Sequence, residues 1–412
     1  MTRMKDSGIE WIGEVPEEWG IVRLKDCLEI NNGKDYKDIE TDETGYPVIG
    51  SGGQFAYARK YLHDGAAILL GRKGTIDKPL YIEGKFWTVD TMFYGVPKSA
   101  IHAKFIYYVA LQIPFGLYST NTALPSMTQT DLQNHHFVIP PFDEQTQIAD
   151  FLDKKVAQLD KVKSLLEEQI KTLEDYRQSL IYETVTKGLD KTVPLKDSGV
   201  DWIGQIPEGW GVSRLDMYVA IYGRIGFRGY TSSDIVEEGE GAISLSPSNI
   251  VEHKVVNYNN TYVSWDKYDE SPEIQVQEGN ILYVKTGSSY GKAGLVTSLS
   301  EKSTINPQLV IFKCRKYVEA RYINYLLNCQ LGKDQSELIV GGSTIPTISQ
   351  EKLRKMQFPY ISFDDQNQIA NFLDKKTEQI NQMIAIKKEQ IDNINKQRQT
   401  LVYDYVTGKR RV

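Results

Sequence analysis

The chain has 412 residues, 41% of them hydrophobic and 25% charged, with a formal net charge of −6. These are the proportions of a water-soluble globular protein too long for one ordinary core, and no apolar run reaches the ~20 residues of a membrane-spanning helix. The three cysteines, Cys27, Cys314 and Cys329, have neither CxxC spacing nor an even count, which argues against a disulfide framework or a zinc site and for buried thiols.

The N-terminus, MTRMKDSG, has no apolar stretch of the signal-peptide kind, and a cytoplasmic protein is expected. The first distinctive segment is KDSGIEWIGEVPEEWGIVRL, Lys5 to Leu24. Its two tryptophans and proline-fixed turn lead into a strand beginning at Arg23-Leu24. Trp11 and Trp19 are expected to cover a junction between a helix end and the next globular part.

Short β-rich runs then alternate with glycine-containing turns: YPVIGSGG, AAILLGRKGT and FWTVDTMFYGVP. A helix is expected from about Lys104 to Gln112, and a second, short one after ALPSM, with Ser126 placed to cap it. His135 and His136 are adjacent, so on an extended segment they face opposite ways and cannot share a metal.

After Pro141 a long helix is expected from about 144 to 186, some 64 Å at ~1.5 Å per residue. Leu152, Leu159, Leu166, Leu173 and Leu180 recur every seven residues, with Ile148, Val162 and Tyr176 taken as the intermediate positions of the stripe.

KDSGVDWIGQIPEGWGVSRL, Lys196 to Leu215, then repeats the opening block 191 residues on, with Trp202 and Trp210 in place of Trp11 and Trp19. A second variable region carries NILYVKTGSS and PQLVIFKCR, a helix expected from about Val318 to Leu331, and TIPTIS, with Thr347 as the cap of a short helix. Last comes DDQNQIANFLDKK from Asp364, which matches DEQTQIADFLDKK from Asp143 at ten of thirteen positions, 221 residues apart. The helix it opens has its stripe at Leu373, Ile380, Ile394 and Leu401, with Met383 between. Lys387 interrupts the seam, and Gln169 and Gln390 are expected to set its register.

The chain therefore reads as a doubled unit, with about 30 extra residues (221 − 191) in the second variable region. The expected fold is α+β: two mixed α/β domains separated by two long antiparallel coiled-coil helices, in a pseudo-two-fold internal repeat. The boundaries are 1–142, 143–190, 191–363 and 364–412.

Glycines lie beside basic and aromatic residues at parallel places in both variable regions. They flank Lys34, Tyr36, Lys37, Arg72 and Lys73 in the first, and Arg224, Phe227, Arg228, Ser288, Ser289, Tyr290 and Lys292 in the second. Glycine lets backbone approach a ligand closely, and Arg or Lys neutralises phosphate or grips guanine. The acidic total does not favour nucleic acid, but charge is uneven: 59–104 holds eight Lys/Arg against four Asp/Glu, and 285–321 seven against two.

Catalytic motifs only come close. TGSSYGKAG resembles a P-loop, but it is one residue short and has Ala293 where Ser or Thr would hold magnesium. IPPF resembles the amino-methyltransferase motif, but Ile139 cannot accept a hydrogen bond from a target amine. No catalytic residue and no metal ligand is assigned.

The doubled WIGEVPEEWGIVRL and WIGQIPEGWGVSRL, with EQTQIADFLDKK and DQNQIANFLDKK, resemble the specificity subunits of type I restriction-modification systems over essentially the whole chain; ILLGRKGTI and STIPTIS resemble segments of their recognition domains. The resemblance implies a non-catalytic subunit whose two target-recognition domains each read one half of a bipartite double-stranded DNA site, while the paired helices set the gap. It implies two methyltransferase subunits docked on the helices, with restriction subunits as further partners, and S-adenosylmethionine, ATP and magnesium held by those partners. The competing expectation is a coiled-coil scaffold that binds proteins rather than DNA.

Overall fold

The computed structural model describes residues 3–42, 44–118, 125–224, 226–342 and 344–412, apart from the Phe227 side chain. The chain forms two compact units, residues 1–167 with 387–412, and residues 168–386. Each long helix contributes one end to each unit.

The first long helix runs Phe142–Lys187 and the second Phe363–Val406. Both start just after a Pro or Ser and carry acids in the first turn, Asp143 and Glu144 or Asp364 and Asp365, where the helix dipole favours negative charge. Both stop at a glycine of φ +72°, Gly188 or Gly408, a left-handed backbone that ends a helix at little cost.

Within the first unit the helix segments run antiparallel: Phe151 meets Tyr405 with ring centroids 4.6 Å apart, and Asp160 meets Arg398 at 3.5 Å. Within the second unit the symmetric bond joins Arg177 to Asn381. Adding 221 to Arg177 and Asp160 gives Arg398 and Asn381, so the repeat places one arginine per unit opposite an acid or its amide.

The leucine line faces the seam. Leu152, Leu373 and Ile380 are buried, and Leu159, Leu166, Leu173, Leu180, Ile394 and Leu401 half-buried. The second line of the stripe holds at Ile148, which is buried, but not further along the helix. Val162, Tyr176 and Met383 are exposed, as are Gln169 and Gln390. The positions four residues after each leucine turn inward instead: Val156, Lys163, Ile170 and Arg177, and in the other helix Thr377, Ile384, Ile391 and Arg398. Residues three and four along both border a helical stripe, and the partner helix covers only the latter. Polar groups along the seam include the arginines with Asp160 and Asn381, and the half-buried Lys163, Thr377 and Lys387.

Each unit also holds two sheets of the same plan. In the first, four antiparallel strands lie in the order 80–82, 67–71, 92–97, 28–32; in the second, the matching order is 293–295, 281–284, 309–314, 219–223. A further sheet in each contains one parallel pair, 46–50 with 85–88 or 241–245 with 303–305. The strand closing each repeated opening block, 20–23 or 211–214, pairs with the strand leading into the long helix, 136–139 or 357–360. Part of the second unit's extra length forms the hairpin Ile250–Val251 and Lys254–Val255, added to the edge of its larger sheet.

The expected helices appear at Ala103–Ala110 and Ala320–Asn328. The second is followed by another, Gln330–Ile339, which the sequence reading did not separate. The short helices start later than expected: Thr128 and Ser349 cap Gln129–Asn134 and Gln350–Arg354, where Ser126 and Thr347 had been assigned that role. Cys27 and Cys329 are buried and Cys314 half-buried. Among the described residues no helix is long and apolar enough to cross a membrane.

The repeated opening blocks pack against the helix ends. Trp19 is fully buried and donates from Nε1 to Glu144 at 3.2 Å, while the Tyr403 hydroxyl donates to the Trp11 carbonyl at 2.9 Å. Trp11 stacks on buried His135, and His136 points outward. In the second unit Trp210 lies against Gly188, and Trp202 is 40% exposed.

Candidate nucleic-acid interface

In the first unit the strands 28–32 and 67–71 flank 92–97, both antiparallel to it, so both end at one sheet edge. The two glycine-basic loops therefore emerge side by side. Successive carbonyls at the start of the central strand hold them: Gly33 N–H donates to Met92 at 2.9 Å, and Arg72 and Lys73 N–H to Thr91 at 2.9 and 3.2 Å. Gly33 is required there, because a Cβ would lie 1.9 Å from the Val89 carbonyl oxygen.

The segment after Pro125 braces the second loop. Gly74 N–H donates to the Pro125 carbonyl, Met127 N–H to the Arg72 carbonyl, and Lys73 bridges to Ser126. In the second unit Gly287 N–H donates to the Pro346 carbonyl, Ile348 N–H to the Lys285 carbonyl, and Thr286 bridges to Thr347. This is the same brace, atom for atom, with Lys285 in the place of Arg72. It gives ALPSM and TIPTI their role, which is to hold a loop in shape.

The sequence-derived residues divide on inspection. Lys34, Lys37 and Lys73 are exposed; Arg72 is half-buried with its guanidinium 5.9 Å from the Phe93 ring centroid and bonded to the Asp90 carbonyl at 3.3 Å. Tyr36 is half-buried and meets Phe55 edge-on at 5.3 Å. In the second unit Ser288 and Ser289 are exposed, and Tyr290 and Lys292 half-buried on the hairpin loop between 281–284 and 293–295.

Arg224 is only 8% exposed, and its guanidinium donates to the carbonyls of Ile305 and Arg228 and to the Thr304 hydroxyl. It shapes the loop from beneath. Arg228 lies 3.4 Å from Glu273, and the Phe227 side chain is outside the described residues. Lys285, absent from the sequence-derived set, sits beside the brace, and burial lowers the affinity of its amine for a proton. Its distance from the TIPTI segment, matching that of Arg72 from ALPSM only to within eight residues, hid the equivalence.

Chemically, the first edge offers braced backbone, the exposed ammonium groups of Lys34, Lys37 and Lys73 and the ring of Tyr36, and the second the exposed hydroxyls of Ser288 and Ser289 beside half-buried Tyr290, Lys285 and Lys292. These suit phosphate contact and base-edge readout rather than bond-breaking. Among the described residues no group of His, Cys, Asp and Glu could hold a metal ion.

Residues 16–174 match the family described as type I restriction modification DNA specificity domain. The MjaVIII specificity subunit of Methanocaldococcus jannaschii is 23% identical, over 97% of this chain and 94% of its own length. The putative MjaX specificity subunit of the same organism is 25% identical over 97% and 96%. A chain solved in work on complex assembly and conformational transition of the type I R-M system has a TM-score of 0.73 at 17% identity, covering 95% of this chain and 98% of that one. The HsdS subunit of Thermoanaerobacter tengcongensis has a TM-score of 0.52 at 16% identity, covering 96% and 98%. The two structural likenesses speak for the fold alone.

The domain match covers residues 16–174, in a fold shared with a solved HsdS subunit. Over nearly its whole length the chain is similar to specificity subunits of type I restriction-modification systems, and those residues match their DNA specificity domain.

Proposed function

We propose that this chain supplies the sequence specificity of a type I restriction-modification complex, with 1–142 and 191–363 as recognition domains that each read one half of a bipartite site. The observation that carries the reading is the pair of loops at one sheet edge, held by the same brace in both units. Arg72, Lys73, Lys34 and Lys37 contact one half-site; Lys285, Ser288, Ser289 and Lys292 contact the other. The long helices set the unspecified gap and dock two methyltransferase subunits, which bring S-adenosylmethionine; restriction subunits with ATP and magnesium join the same assembly. A chain that reads DNA and leaves the chemistry to partners has no need of the motifs that its sequence only approaches.

The test is DNA binding by the assembled complex across a salt series. Lys73→Ala lowers the slope of log affinity against log salt by about one if Lys73 meets a phosphate. It costs ~1–3 kcal/mol at a single base position if it meets a base edge. Affinity unchanged by Lys73→Ala, Lys34→Ala and the Ser288 and Ser289 alanine variants would remove these loops from the interface.

A further inference from the structure

The block that opens each long helix contains a glutamine and an aspartate whose roles are not those of a coiled coil. Gln145 and Gln366 are each 2% exposed, an unusual burial for an amide on a helix surface. Gln145 Oε1 accepts from the backbone N–H of His102 at 2.9 Å, and its Nε2 donates to the Pro140 carbonyl at 3.0 Å. Gln366 does the same with Glu319 N–H at 2.9 Å and the Ile361 carbonyl at 3.1 Å. His102 and Glu319 are the caps of the helices Ala103–Ala110 and Ala320–Asn328, so each amide ties the first turn of a domain helix to the root of a long helix.

Two turns on, Asp153 takes the Tyr108 hydroxyl at 2.7 Å and the Lys104 ammonium. Asp374 takes the Tyr325 hydroxyl at 2.7 Å and the Arg321 guanidinium at 2.8 Å. Gln and Asp repeat at an offset of 221, and the cap, the cation and the tyrosine at 217. Two anchor points eight residues apart remove both sliding and rotation of the domain helix, which a single contact would leave free. The held helix packs against a strand of the sheet that carries the loops, 67–71 in the first unit and 293–295 in the second.

We propose that Gln145 with Asp153, and Gln366 with Asp374, are positioning residues that hold each recognition domain in one orientation on its helix and so restrict the gap length the complex accepts between its half-sites. This rests on the bipartite reading above. It differs from a stability role, because a merely structural contact changes how much protein is folded, not which spacing is chosen.

The experiment is methylation-site mapping with the complete complex carrying Asp153→Ala or Asp374→Ala, alongside Tyr108→Phe with Tyr325→Phe, a mild pair that removes one hydroxyl per clamp and keeps the ring. Methylation is expected to spread to sites whose gap is one base pair longer or shorter, at a tenth or more of the rate at the normal gap, with both half-site sequences unchanged. Asp153→Asn, which still accepts from Tyr108, is expected to restore part of the preference. A single unchanged gap in the aspartate variants, or in the phenylalanine pair should the aspartate variants fail to fold, overturns the clamp alone. A wild-type motif that is not bipartite overturns the reading beneath it.

Discussion

Replacing Gly408 by alanine tests whether the repeated opening block is built to receive a helix end. Gly408 has φ +72°, and a Cβ there would lie 2.4 Å from Pro16 Cδ and 2.9 Å from Pro16 Cγ. The left-handed backbone costs an alanine roughly 1–2 kcal/mol, and overpacking against a proline ring that cannot swing aside adds about 1–3 kcal/mol. A stiffer unfolded chain offsets up to about 1 kcal/mol, leaving a net loss of ~1–4 kcal/mol. Gly188 is the control: its φ is also +72°, but its nearest obstacle is the edge of Trp210 at 3.1 Å, which can give slightly. Gly188→Ala should therefore cost ~1 kcal/mol or less. In a thermal melt, with each kcal/mol worth ~2–4 °C for a unit of this size, Gly408→Ala lowers the first unit's transition by about 2–16 °C. A Gly408→Ala melt within 1 °C of the parent, or a larger loss for Gly188→Ala, would refute the packing argument.

Burial pulls the His135 pKa from 6.5 down to about 4, with His136 adding to the effect. The unfolded chain then binds the extra proton, so the stability His135 contributes is whole above pH 6.5 and is lost as pH falls toward 4, by ~3 kcal/mol. Urea melts between pH 7 and 4 should show that slope, and His135→Phe should flatten it. Asn381→Asp gives Arg177 the carboxylate that Arg398 already has in Asp160; the half-buried pair should gain about 0.5–1 kcal/mol, lost again at high salt. Inserting four residues between Leu166 and Leu173 adds nearly one helical turn and ~6 Å, so site mapping should show a gap longer by one or two base pairs with unchanged half-sites.

What the sequence made legible follows from period and repetition. The heptad leucines and the doubled blocks gave away the long helices and the duplication, because both are properties of spacing alone. The second seam line was not legible: Val162 and Val156 are equally apolar, and only the partner helix decides that Val156 is buried. The caps shifted by two because Ser126, Thr128, Thr347 and Ser349 are all competent cap residues, and the brace to the glycine loops holds Ser126 and Thr347 in strand-like bridges. Arg224 looked like a loop cation, but burial turned it inward onto carbonyls. Gln145 and Asp153 stood in plain view within a quoted motif, yet their partners lie some 45 residues away, beyond the reach of any local pattern.

The most direct test of the central claim is the methylation pattern of cells expressing this chain with the methyltransferase subunit proposed to dock on it, compared with cells in which residues 22–137 are exchanged for those of a related subunit. The account predicts a bipartite methylated motif, with one half replaced by the exchange and the other half and the gap preserved. A motif that the exchange leaves untouched, or no dependence of methylation on this chain at all, would contradict it.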